Sequence, residues 1–210
     1  MKLYWFQVAP NPTKVRLYLA EKNAGGAGIA LDQVVVKLPK GEQRSAEHRA
    51  RNPFATLPVL ELDDGTTIVE SLPIIDYLED LYPAPPLWGV DARARARARE
   101  LERIVECRLL NPLAAYIHAT HSPTGRPPNA SIAERAAAEW PAALAYIEQC
   151  LDDGRAFVAG AQPTVADCTL AATLQFARFA KIDLITDYRA LQRWDTDYRT
   201  RAPAQAALTL

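Results

Sequence analysis

The rhythm of apolar and polar positions changes once along this chain of 210 residues. Up to about residue 82, short apolar runs alternate with helical spacing. Lys2–Phe6 (KLYWF) predicts a strand. Thr13–Ala24 (TKVRLYLAEKNA) predicts a helix, with Pro12 in its first turn and Asn11 as its cap. Leu31–Leu38 (LDQVVVKL) is β-branched and predicts a second strand. Leu57–Val69 (LPVLELDDGTTIV) predicts a hairpin turning at Asp64-Gly65. Glu70–Pro83 (ESLPIIDYLEDLYP) predicts a helix capped by Ser71 and ended by Pro83. The order is βαβ, a loop, then ββα.

Pro83–Trp88 (PAPPLW) has the composition of a stiff connection. Beyond it no strand is expected. Ala92–Ala119, Ile132–Gly154 and Thr164–Ile182 are rich in Ala and Leu at helical spacing. Thr164 and Asp167 have the form of a capping box. These patterns predict an α/β unit over residues 1–82, a linker over 83–90 and an all-helical unit over 91–210.

Composition then narrows the function. The formal net charge of −1 argues against nucleic acid or an anionic membrane as the main partner. The alternating Arg93–Arg99 run spreads its charges round a helix and is followed by glutamates, as on a solvated face. No signal peptide or bilayer-length apolar window is apparent. The three cysteines, Cys107, Cys150 and Cys168, have no paired spacing. That fits free thiols, expected as small buried residues on helices, in a reducing, cytoplasmic setting. His118 and His121 have no further ligands to complete a metal site.

Two short stretches carry candidate chemistry. A proline cannot donate to a sheet, so Pro58 belongs at a strand's first position or in a turn. A cis Leu57–Pro58 bond leaves the Leu57 N–H and C=O free to pair with an extended peptide; an ordinary loop proline has the same sequence. Glu70-Ser71 opens a helix. There a carboxylate can accept from the Ser71 hydroxyl and backbone N–H groups, while Glu70 accepts from an ammonium. A simple cap and first-turn charge would also produce that pair.

Taken together, these elements resemble the cytosolic glutathione transferases. NPFATLPVLELDDGTTIVES is the most specific stretch, supported by LAEKN, FVAGAQPTVADCTLAA and the late RAP. The resemblance implies an α+β fold: a thioredoxin-like N-terminal domain that binds glutathione, followed by an all-α C-terminal domain. It implies that Leu57, with cis-Pro58, pairs with the cysteinyl backbone. Glu70 and Ser71 hold the γ-glutamyl end, and Gln43, Arg44 and Lys40 the glycine carboxylate. It also implies a homodimer, with some of Arg93–Arg99 at the subunit contact, and no cofactor or metal beyond glutathione itself.

In that family the first strand-to-helix corner carries the reactive group, in many members a serine two residues before an asparagine. Here it reads Ala9-Pro10-Asn11-Pro12-Thr13-Lys14-Val15. A dithiol or serine mechanism at this corner is excluded. Thiolate formation is not. Lowering a thiol pKa of about 8.5 by two units needs about 2.7 kcal/mol. One hydrogen bond to a charge supplies roughly 1.5–3 kcal/mol, and a helix start adds about 0.3–1 kcal/mol. The corner offers the Asn11 amide and free N–H groups.

A fungal and bacterial subgroup of the family lacks the usual Tyr, Ser or Cys and is thought to use a water held by a histidine and a hydroxyl. The corner and YIHATHSPTG resemble that subgroup. This implies His118, with Thr124 or Ser122 as the hydroxyl and His121 as an alternative. A bridging water is physically reasonable. The two histidines, three apart, can equally share a helix face and do no chemistry. Tyr116 and Phe176 are expected to line an apolar acceptor site. The expected activity is conjugation of glutathione to a small apolar electrophile. Glutathione-dependent disulfide reduction or peroxidase activity, and non-enzymatic binding on the same scaffold, are the alternatives.

Overall fold

The computed structural model describes residues 1–210. Strand β1 (Lys2–Trp5) leads to helix α1 (Pro10–Ala24), strand β2 (Asp32–Val35) and the short helix α2 (Ala46–Arg51). Strands β3 (Val59–Glu61) and β4 (Thr67–Val69) and helix α3 (Ser71–Leu81) follow. Six further helices complete the chain: α4 (Ala92–Val105), α5 (Asn111–Thr120), α6 (Ala130–Leu151), α7 (Val165–Phe179), α8 (Arg189–Thr200) and α9 (Ala202–Ala207). This is a thioredoxin-like N-terminal domain and a helical C-terminal domain.

The sheet order is β2-β1-β3-β4; β2 runs parallel to β1, and the β1–β3 and β3–β4 pairs are antiparallel. Alternation along β1 sends neighbouring side chains to opposite faces. Leu3 joins the main core with Leu60, Ile74 and Leu78, while Tyr4 packs with Val36 and Val59 on the other face. The main core continues without a break into the helical bundle, where α7 is buried from Val165 to Ala177. Its capping box is formed as expected. Asp167 also accepts from Val158 N–H and Trp194 Nε1, at 2.8 and 3.2 Å.

Four expectations change. Helix α1 begins at Pro10, so Ala9 and not Asn11 occupies the cap position. Proline's fixed φ and missing N–H suit the first helical residue. In α3, Ser71 is the first helical residue and Glu70 the cap, at φ 70°. Of the cysteines only Cys168 is fully buried; Cys150 is half-buried and Cys107 exposed. The long segment from Ala92 to Thr120 is continuous but contains a π turn at Glu106–Leu110. Pro112 lacks the N–H that would close an α-helical bond there, which accounts for the local widening.

The two domains are tied by buried charge. Lys14 in α1 has no solvent exposure and donates to Glu102 Oε1 at 3.0 Å and to Glu106. Thr169 of α7 donates to the same Glu102 oxygen at 3.1 Å. Burial pushes the Glu102 carboxyl up, partly offset by Lys14. Removing the ammonium leaves two neighbouring carboxyls in a low-dielectric site, a change that costs about 3–5 kcal/mol. Lys14→Met is therefore expected to lower unfolding stability by about that amount, measured by urea denaturation at neutral pH.

Candidate functional site

The register brings the candidate groups to one edge of the sheet. Tyr4 pairs with Val59 and Val59 with Val69, while Trp5 pairs with Val35. Hence the chain leaves β1 toward Ala9 and Asn11 at the same edge where Leu57-Pro58 enters β3. Glu70-Ser71 leave β4 there, and the chain leaving β2 leads to Lys40, Gln43 and Arg44. Across the sheet the order is Gln43, Asn11, Leu57, Glu70. Three strand spacings of about 4.8 Å make a row of about 14 Å. An extended tripeptide, at about 3.4 Å per residue with its end groups added, is of matching length.

Several groups in this row lack partners. The Leu57–Pro58 bond is cis, and neither the N–H nor the C=O of Leu57 takes part in a backbone hydrogen bond. Gln43 is buried and its Oε1 has no partner. The Asn11 Oδ1 is likewise buried and unpaired. Both oxygens are acceptors, so a ligand N–H or O–H, and not a carboxylate or thiolate, can pair them and recover the cost of leaving them unmet. Ser71 is buried at the α3 start, whereas Glu70, Lys40 and Arg44 are exposed. The Arg44 carbonyl accepts from Arg49 Nε at 3.2 Å, which fixes the loop.

The corner differs from its expected chemistry in one respect. Pro10 and Pro12 have no N–H, and the Thr13 N–H is taken by the Ala9 carbonyl at 3.1 Å. The first turn of α1 therefore offers a single free backbone N–H, that of Asn11. The expectation of several free N–H groups is corrected: Asn11 holds both the remaining main-chain donor and the side-chain amide. Val8, at φ 56°, turns the chain into this corner.

The second-domain candidates form a string of their own at the end of α5. His118 Nδ1 lies 2.8 Å from Ser122 Oγ, which lies 3.1 Å from Thr124 Oγ1. His121, just past the helix, instead meets Thr120 Oγ1 at 2.8 Å, so the two histidines are satisfied separately. Burial and the Arg126 charge hold the His118 imidazole below its ordinary pKa, favouring the neutral ring. No hydrogen bond joins this string to the Asn11 corner. Tyr116 sets its ring edge-on to Trp140 at 5.3 Å. Phe176 lies in the core and stacks on the exposed Phe179 at 6.4 Å.

Comparison with known proteins gives a consistent picture. "Glutathione S-transferase, N-terminal domain" matches residues 3–86, and "Glutathione S-transferase, C-terminal domain" matches residues 130–194. Glutathione S-transferase 2 of Saccharomyces cerevisiae is 32% identical over 202 residues, covering 92% of this chain and 83% of its own. Maleylpyruvate isomerase of a Ralstonia species is 30% identical over 97% of both chains. The crystal structure of Gtt2 from Saccharomyces cerevisiae superposes with a TM-score of 0.87 at 30% identity, covering 99% of this chain and all of that one.

The geometry at Glu70 has a measurable cost. A side chain at φ 70°, ψ 136° lies outside the regions that L residues ordinarily occupy. Such a residue costs on the order of 1–3 kcal/mol, which glycine largely avoids. Glu70→Gly is expected to raise unfolding stability by about 1 kcal/mol, read by urea denaturation.

Proposed function

Since the chain belongs to the glutathione S-transferase family, we propose that the row of groups at the sheet edge binds glutathione and that the enzyme transfers its thiolate to a small apolar electrophile. The observation that carries this reading is the row itself. An unpaired main-chain N–H and C=O at Leu57 stand between Gln43, whose Oε1 is an unpaired acceptor, at one end and Glu70-Ser71 at the other. Leu57 pairs with the cysteinyl backbone. Ser71 and the α3 start take the γ-glutamyl carboxylate, and Glu70 takes its ammonium. Gln43, with Arg44 and Lys40, takes the glycine end. The sulfur then lies at the Ala9 corner, where the small side chain leaves room.

Asn11 is the group nearest in kind to the missing hydroxyl. Its amide N–H and side-chain donor favour the thiolate by hydrogen bonding to charge. The His118–Ser122–Thr124 string supports a second route, a water held between the neutral imidazole and a hydroxyl. In either route the glutathione S–H bond breaks and its proton leaves to water or His118. The sulfur lone pair then forms a C–S bond, and the leaving group departs with its bonding electrons. Tyr116 is proposed to contact the apolar acceptor, whereas Phe176 is packed into the core and is not available for that contact; the enzyme is proposed to act in the cytoplasm.

A second reading is cis–trans isomerisation of a maleyl-type acid, by reversible thiolate addition to its double bond. The Ralstonia relative favours it. Turnover of maleylpyruvate without a stable glutathione adduct would select it over conjugation.

Ultraviolet titration of bound glutathione tests the mechanism. The wild-type complex is expected to show a thiol pKa about two units below that of free glutathione. Asn11→Ala raises it toward the free value if the corner supplies the donor; His118→Ala does so if the water route operates. A free-thiol pKa in the wild-type complex overturns both. If His118 acts as base, the acidic limb of kcat/KM falls below the ordinary histidine value of 6.5, because a depressed pKa keeps the ring neutral to lower pH.

A homodimer is also proposed. Phe54 is 71% exposed on the loop before β3, and burying its ring against a second copy would remove apolar area from water. Phe54→Asp is expected to shift the protein from dimer to monomer in sedimentation equilibrium, with its fold retained by circular dichroism.

A further inference from the structure

Strand β2 lies at the lateral side of the sheet and pairs with β1 alone. All four of its residues are exposed. The parallel register fixes which main-chain groups point outward. The N–H groups of Asp32 and Val36 donate toward β1, to the Met1 and Trp5 carbonyls at 3.2 and 2.8 Å. Successive residues of a strand alternate in this respect. Gln33 and Val35 therefore turn their N–H and C=O away from β1, where no other strand meets them. The open stretch ends at Lys37, whose N–H donates to Glu42 Oε2 at 2.7 Å. Free strands of this kind are commonly blunted by charge, proline or a bulge. Here the middle of the stretch is instead apolar and β-branched, with Val34 36% and Val35 47% exposed.

A recess adjoins the open side of β2. Val34 stands in register with Tyr4, so both lie on the face away from the main core. A cavity of about 300 Å³ there is lined by Val34 and Val36, and by Glu42, Glu47 and Arg51. Arg51 is already committed. It donates to Glu47 at 2.7 Å and to Glu61 at 3.0 Å, and it lies over the Tyr4 ring. Two carboxylates against one engaged guanidinium leave the recess with an excess of negative charge. A lysine or arginine has an apolar stem for the valines and a cationic head for the carboxylates.

We propose that β2 takes up an extended segment of another protein as a fifth strand, with one Lys or Arg side chain in this recess. The segment pairs its main chain with Gln33 and Val35. Its basic residue lies along Val34 and Val36 and sets its charge at Glu42 and Glu47. The contact runs along the side of β2, whereas the row of candidate groups lies across the strand ends. Both are filled at once, and no covalent bond is made or broken.

Fluorescence polarisation with a labelled heptapeptide, Thr-Val-Thr-Lys-Thr-Val-Thr, tests this on the full chain. Alternation puts its lysine and both valines on one face. The peptide should bind equally with S-hexylglutathione present or absent. Replacing its lysine by norleucine should weaken binding about fivefold, and by glutamate more than tenfold. Val35→Pro removes an outward N–H and leaves the β1 ladder whole. It should weaken binding at least tenfold, with circular dichroism and S-hexylglutathione affinity unchanged. Val34→Lys keeps the main chain and sets a cation beside the recess, so it should reverse the preference between the lysine and glutamate peptides. Equal affinity for the three peptides would overturn the proposal. So would undiminished binding in folded Val35→Pro. A fall in sedimentation mass on Val35→Pro would assign the open strand to a second copy of this chain and overturn it as well.

Discussion

Lys14 lies fully buried between the two domains and directs its charge to Glu102 and Glu106. A lone ammonium in such a place is untenable, as is a lone carboxylate, so α1 and α4 hold one another in a single relative position. That position matters at both ends of α1. Its start sets the corner beside the sheet edge, and its end lines, with Val90, a cavity of about 600 Å³. Arg16 adds a second tie. It stacks on Trp5 with its guanidinium 3.9 Å from the ring centre and donates to the Ala206 and Ala207 carbonyls of α9. The helix that carries the candidate chemistry is thereby anchored to the sheet and to the bundle.

Main-chain geometry accounts for most of the proposed recognition. Leu57 contributes no special side chain; its contribution is an unused N–H and C=O in a fixed place. Glu70 holds a strained conformation where the chain passes from β4 to α3, and the stability lost there is offset by the core beneath, where Ile74, Ile75 and Leu78 are fully buried. On the proposed reading, such a scaffold tolerates alanine at the corner because the peptide would be gripped along its backbone and at its ends. Only the acidity of the sulfur then depends on which donor stands nearby.

Much of this was legible in the residues. Apolar alternation marked the strands, Asp64-Gly65 marked the hairpin, and Thr164 with Asp167 marked the start of α7. The row at the sheet edge followed from motif resemblance, because Gln43, Leu57 and Ser71 lie far apart in sequence and meet only through strand register. The start of α1 was misplaced by two residues and that of α3 by one. Pro10, suited to a first helical residue, outweighed the polar Asn11 at α1, and the positive φ of Glu70 leaves no signal in its side chain. Helix α2 was not foreseen, since its six residues are too few to show a periodic apolar face. The cavity beside Val90 could not be foreseen at all: its walls come from separate parts of the chain, each ordinary alone.

The paired prolines of the corner have a consequence for selectivity. Most helix starts present several N–H groups in a cluster, and such a cluster suits an oxyanion that needs several donors at once. Here Pro10 and Pro12 remove the neighbours of Asn11, leaving one main-chain donor without a partner in the first turn. A phosphate or sulfate gains little from a single contact, whereas a thiolate, with its charge on one atom, can use it fully. If the proposed sulfur position holds, the corner discriminates by the shape of an anion's charge, and inorganic phosphate is a poor competitor there.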